Sequence, residues 1–104
     1  MGRNRPLTLS DTGSRVATFQ SGEVFIHKGK YLLIIDGFVP GTAFVATFDV
    51  ECRLPHEAAG EFHVLETFTD TATFKVGEVP ADCFMRINIS AWTSAAVRGQ
   101  IAQD

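Results

Sequence analysis

The chain has 104 residues, of which 45% are apolar and 20% charged, and its net charge is −3 at pH 7. This length fits one domain with one hydrophobic core, and the composition is too apolar for a disordered chain. No apolar run approaches the roughly 18 residues of a membrane helix, and no hydrophobic segment follows the first arginines as in a secretory signal, so we expect a soluble protein made in the cytoplasm, with no membrane partner.

The charges are unevenly distributed along the chain. Residues 1–15 carry Arg3, Arg5 and Arg15 against Asp11, whereas the remainder carries six cations and eleven anions. Nucleic-acid binding requires many clustered cations to neutralise phosphates, so an acidic body argues against direct nucleic-acid binding.

Residues 1–14 contain Pro6 and Gly13 and show no sustained apolar period. They predict an extended N-terminal arm that precedes a single domain over residues 15–104. The arm could be ordered on a neighbouring subunit or could be a frayed terminus without a role. Its candidate partner-binding residues are Arg3, Arg5, Pro6, Leu7 and Leu9.

From Arg15 onward, β-branched and aromatic residues alternate with short Gly, Pro and Asp clusters, which is typical of strands. Residues 23–36, EVFIHKGKYLLIID, predict a hairpin of strands 23–27 and 31–36 that turns at Gly29. After the turn DGFVPGT, residues 42–54, TAFVATFDVECRL, predict a half-buried strand. Its apolar face comprises Phe44, Ala46, Phe48, Val50, Cys52 and Leu54, and its polar face Thr47, Asp49, Glu51 and Arg53.

The second half of the chain continues the strand pattern. A loop, LPHEAAG, precedes two short strands, EFHVLETF and TATFKVG, with a turn at Asp70 and with Phe62, Val64, Phe74 and Val76 expected to face inward. Residues 83–92 alternate strictly, and their expected inward residues are Met85, Ile87, Ile89 and Ala91. A turn at residues 93–95 leads to a last strand near AAVRGQI.

Seven or eight strands joined by short turns predict an all-β fold. We expect an antiparallel β-sandwich, jelly-roll or Ig-like, or else a compact barrel, because no crossover helix is available for parallel pairing. Such a sandwich leaves edge strands that charges, arms or partners must cover.

No catalytic motif stands out, so we expect no enzyme, no catalytic residues and no cofactor. Cys52 and Cys83 have no CxxC spacing and fall on apolar strand faces, which favours free structural thiols over a disulfide. The side chains of His56, Glu57, Glu61 and His63 offer a weak alternative, a metal site in a small metal-dependent enzyme, although their spacing matches no ligand motif and we predict no metal.

Trp92 precedes the turn at residues 93–95. If it is exposed, its ring could stack on a sugar or fill a partner's pocket; otherwise it caps one end of the core. A free-standing carbohydrate-binding module is therefore the alternative to a structural role.

Residues 76–102, VGEVPADCFMRINISAWTSAAVRGQIA, resemble small β-rich structural proteins of tailed-bacteriophage virions, and GTAFVATFDVEC resembles their central strand. The matching pieces are the turn Val79, Pro80 and Ala81, the strand residues Arg86, Ile87, Asn88 and Ile89, and the end Thr93 to Val97. The resemblance implies a head decoration, cementing or fibre-base protein of the virion. It implies a homo-oligomer whose partners are the viral capsid or other virion proteins. The basic arm and the exposed strand edges are the surfaces through which we expect such contacts.

Overall fold

A computed structural model describes residues 8–103, which form nine strands and no helix. In chain order they are β1 (Thr8–Asp11), β2 (Phe19–Gln20), β3 (Val24–Ile26), β4 (Gly29–Gly37), β5 (Val45–Arg53), β6 (His63–Thr69), β7 (Thr73–Val79), β8 (Cys83–Ser94) and β9 (Val97–Gln103). Since the described part of the chain has no helix, it has none long and apolar enough to cross a membrane.

The strands form two antiparallel sheets. Sheet A has the order β1-β9-β4-β7, and sheet B has the order β2-β8-β5-β6, with β3 also pairing to β8. This arrangement confirms the predicted all-β antiparallel sandwich. The count exceeds the predicted seven or eight because β1 lies within the predicted arm and β2 has only two residues.

The core lies between the sheets, and each layer contributes alternate side chains. Its fully buried members include Leu33, Ile35 and Ile101 from sheet A and Ile26, Phe48, Val50, Met85, Ile87 and Ile89 from sheet B. Alternate burial along β4 and β8 follows the two-residue period of a strand.

The predicted hairpin over residues 23–36 is wrong. β3 pairs with β8 in sheet B, whereas β4 pairs with β7 and β9 in sheet A, so the chain crosses between layers at His27 and Lys28. The backbone N–H of Lys28 donates to the Asp82 carboxylate at 2.7 Å, and Gly29 has a φ of 133°. Both strands point apolar side chains into the same core, which they can do from opposite sheets without pairing with each other.

Bulges account for two further differences from the predicted faces. Ser90 is an extra residue of β8 between the pairs Phe48–Ile89 and Thr47–Ala91, so the alternation reverses and Ala91 is exposed instead of inward. Leu65 is an extra residue of β6, and Val64 consequently lies outward, 56% exposed. Leu54, just beyond β5, is exposed rather than part of the core face.

Residues 8–14 are integrated into the sandwich instead of forming part of a separate arm. β1 pairs with β9 along its whole length, and the side chains of Ser10 and Thr12 are buried. The Ser10 hydroxyl contacts that of Ser21 at 2.9 Å, and the Ser21 hydroxyl accepts a hydrogen bond from the backbone N–H of Ile87. These buried hydroxyls close the side of the sandwich between β1 and the β2–β3 segment.

Candidate binding surface

The inward and outward faces of β7 are reversed relative to the sequence prediction. Phe74 and Val76 were expected in the core, yet they point to solvent and are 74% and 60% exposed. Register explains the reversal, because Lys75 lies opposite the inward Leu33 and so turns toward the interior. Because this edge strand exposes its apolar residues, apolar surface is left without a partner within the described chain.

Neighbouring strands continue this apolar surface. Leu32 lies opposite Val76 on one side and Ala102 on the other, and Ile34 lies opposite Phe74. All are on the outward side of sheet A, because the intervening residues of β4 are buried. We call this surface, formed by Leu32, Ile34, Phe74, Val76 and Ala102, the A face.

Charged side chains flank the A face at both ends. Lys30 and Glu78 are cross-strand partners at one end, and Asp36 and Arg98 are partners at the other. Arg98 donates from Nε to the Asp11 carboxylate at 3.0 Å, and this hydrogen bond holds the pKa of Asp11 below its usual range. The surface therefore has an apolar centre and a charged rim, as protein interfaces do.

Two shallow depressions flank Ile34 on the A face. One, of about 160 Å³, is lined mainly by Ile34, Asp36 and Phe74. The other, of about 120 Å³, lies toward Phe38 and Arg98, and Asp36 lines it too. Each depression could accept one side chain of a partner, with a carboxylate beside it.

The outer face of sheet B has a different character. Arg86 donates from Nε to Glu51 at 2.6 Å, and the guanidinium of Arg53 binds Glu23 and packs 4.3 Å from the ring centroid of Phe84. Phe62 covers the Arg86 guanidinium at 3.8 Å, so this expected core residue instead lies on the outer surface. These charged side chains pair with one another beneath the loop over residues 54–62, so few of their hydrogen-bonding groups are left to bind a ligand.

Side chains of the histidine and glutamate cluster form hydrogen bonds that hold that same loop. His63 Nε2 contacts a Glu57 carboxylate oxygen at 2.7 Å, and the other oxygen accepts the backbone N–H of Leu54 at 2.8 Å. Glu61 accepts the N–H of Ala58. Within residues 8–103, no group of three His, Cys, Asp or Glu side chains has an arrangement that could hold a metal ion.

Both cysteines are free, and they line an apolar cleft of about 230 Å³ between the ends of β5, β7 and β8. Burial raises the pKa of the Cys83 thiol to about 11 and also raises that of Cys52. Thiols with such pKa values are protonated at neutral pH and react weakly as nucleophiles.

Trp92 is partly buried and packs against the core. The bulge at Ser90 turns it inward, opposite the buried Ala46. Its indole N–H donates to the carbonyl of Ala95 at 2.7 Å, which fixes the turn before β9. The geometry thus gives Trp92 structural contacts at the position where sequence suggested a sugar or partner site.

Arg3, Arg5, Pro6 and Leu7 lie outside the described residues, so their predicted partner contacts stay predictions. Leu9 lies in β1 opposite Ala102. The sequence signal for the A face was weak, because the TATFKVG segment alternates correctly but does not reveal which side is inward. Gly77 was the available clue, since the buried ring of Tyr31 packs directly where a side chain at residue 77 would lie.

The edges of the sandwich are protected against strand addition. β1 and the β2–β3 segment are short or interrupted, β6 contains the Leu65 bulge, and β7 turns Lys75 inward. The Lys75 ammonium binds the Glu66 carboxylate at 2.9 Å across the gap between β7 and β6. Inward charges and bulges on edge strands discourage pairing with another chain, so the A face is a better candidate contact than the edges.

Comparison with solved structures finds a protein of similar fold. The sequence matches no protein-family model and no curated protein. In structure, the chain is similar to the SPBc2 prophage-derived protein YomS, with a TM-score of 0.57 and 9% sequence identity over 99% of this chain and 100% of that one. At this identity the likeness shows a shared fold with a phage-derived protein, and nothing further.

Proposed function

We propose that this chain is a non-enzymatic structural protein of a bacteriophage particle, which binds the capsid or neighbouring virion subunits through the A face. The observation that carries the proposal is the reversed edge strand β7, which exposes Phe74 and Val76 beside Leu32 and Ile34. Fully burying one such side chain is worth about 1.5–3 kcal/mol, so a covering partner would gain appreciable binding energy.

Two further observations support a particle component. The fold is shared over its full length with a prophage-derived protein. The protected edges suit a chain that is present at high local concentration, since they discourage open-ended strand addition. A decoration, cementing or fibre-base protein would then stabilise the particle by linkage, because it binds the assembled state and not the separated subunits.

The test is to purify particles produced by the genome that encodes the chain and to quantify the chain in them by mass spectrometry. We expect it to co-purify with the major capsid protein at a fixed ratio. Replacement Phe74→Lys in that genome should reduce the ratio at least about tenfold, because a charge would be buried at the contact.

A matched replacement at the opposite sheet, Val64→Lys, should leave the ratio unchanged, since Val64 is similarly exposed but lies outside the A face. A chain that stays in the free lysate, below one copy per particle, would overturn the proposal. Equal loss with both variants would remove the A face from it.

A further inference from the structure

The outward residues of β4 have a self-complementary order. Along the strand they read Lys30, Leu32, Ile34 and Asp36, a cation, two apolar residues and an anion. If a second copy of β4 lies over the first in the opposite direction, every position meets a complementary one. Lys30 then faces Asp36 of the second copy, and Leu32 faces Ile34.

The neighbouring strand β7 fits the same arrangement, and on the β9 side Ala102 of one copy faces Gln100 of the other. Consider a two-fold axis that lies parallel to the sheets, perpendicular to the strands, and passes between the levels of Leu32 and Ile34. It places each strand over its own copy, running in the opposite direction, so that the cross-strand row containing Leu32 faces the row containing Ile34. Because Val76 lies beside Leu32 and Phe74 beside Ile34, Val76 of one copy then packs on Phe74 of the other. Sheets pack face to face in this aligned manner at about 10 Å.

Lys30 and Asp36 cannot pair with each other within one copy. Lys30 and Asp36 are six residues apart on an extended strand, which separates them by about 20 Å. Asp36 lines both depressions beside Ile34, so one depression can accept the aliphatic stem of Lys30 from the second copy while the ammonium reaches the carboxylate.

We propose that the A face is a self-association surface, at which two copies of this chain pack back to back with β4 antiparallel to β4. This inference rests on the proposed function in naming the neighbouring subunit, and a two-fold interface of this kind uses the same patch on both partners. Three strands about 14 Å across and roughly 20 Å long present on the order of 300 Å² in projection, so the dimer is weak outside a particle.

The experiment is sedimentation equilibrium of the full chain from about 10 μM to 1 mM, a range that resolves weak association. We expect concentration-dependent dimerisation of the unaltered protein. Val76→Lys should weaken it at least about tenfold, because each dimer would bury two unpaired charges. The control Val64→Lys, on the outer face of sheet B, should stay within about threefold.

A charge exchange tests the direction of packing. Lys30→Asp alone and Asp36→Lys alone should each weaken dimerisation by about fivefold or more, since like charges then meet at both ends of the interface. The double variant Lys30→Asp/Asp36→Lys should return to within about threefold of the unaltered protein. These substitutions also alter contacts within one copy, because Glu78 lies beside Lys30 and Asp36 accepts the N–H of Gly37. Thermal unfolding of each variant therefore checks that it is folded.

A monomer at every concentration overturns the inference, as does equal behaviour of the Val76 and Val64 variants. A dimer whose charge exchange gives no recovery overturns the antiparallel arrangement. Failure here is separable from failure of the proposed function: a monomeric chain whose amount in particles is reduced by Phe74→Lys but not by Val64→Lys contacts the capsid by the A face, and a dimer absent from particles is no virion component.

Discussion

At the residue scale, a substitution at Trp92 distinguishes a structural role of this side chain from a role in binding. Its ring packs against the core and its N–H donates to Ala95, so Trp92→Ala should lower the free energy of unfolding by about 2 kcal/mol, less than the loss of a fully buried tryptophan. Urea unfolding measures the change. A variant as stable as the parent, together with sugar-dependent fluorescence of the parent, would instead support the carbohydrate-binding alternative.

The Glu57–His63 pair should give stability a defined pH dependence. Its hydrogen bond raises the pKa of His63 and lowers that of Glu57. The His63 contribution is complete below its ordinary pKa of 6.5 and is lost as pH rises through the raised value; the Glu57 contribution is present above 4.5 and is lost as pH falls through the lowered value. The pair therefore stabilises most between these two ordinary values.

A double-mutant cycle with Glu57→Gln and His63→Gln measures this coupling by urea unfolding. We expect a larger coupling at about pH 5.5 than at about pH 8.5, because the charged form of His63 that Glu57 stabilises is lost as pH rises through the raised pKa of His63. Equal coupling at both pH values would show that the charge on His63 contributes nothing.

At the scale of the element, Gly77 determines how β7 fits against β4. A Cβ at this position would lie 2.3 Å from Cζ of the buried Tyr31 ring, so Gly77→Ala must displace the ring or the strand. We expect a loss of about 1–3 kcal/mol, the usual cost of overpacking. Gly22→Ala is the control, because its Cβ would meet nothing within 4 Å. Thermal unfolding compares the two, and equal midpoints would contradict the account.

Sequence periodicity predicted where the strands lie more reliably than which of their side chains point into the core. β5 and the first half of β8 follow it because both are central strands with one face fully in the core. It failed at β6 and β8 where a single extra residue, Leu65 or Ser90, reverses the alternation. It failed at β7 because an edge strand can turn a lysine toward the inner side of its sheet when the ammonium reaches a partner such as Glu66. The candidate surface was missed for this last reason.

At the scale of the whole molecule, the inward lysine of β7 should govern solubility. Lys75→Val makes this edge strand apolar on both sides and removes the charge that an incoming strand would have to bury, so we expect faster aggregation on mild heating, measured by light scattering. Lys28→Val removes the same charge from an exposed turn and is the control. Equal aggregation of the two variants would assign the effect to net charge instead.

The position of β9 has a consequence for synthesis. This last strand lies between β1 and β4, so neither has its full set of hydrogen-bonded neighbours until β9 has emerged from the ribosome. Sheet A is therefore complete only after translation has passed Gln103, and a nascent or prematurely terminated polypeptide would leave the apolar inner side of β4 without its β9 neighbour. Quality-control proteases would readily degrade such fragments.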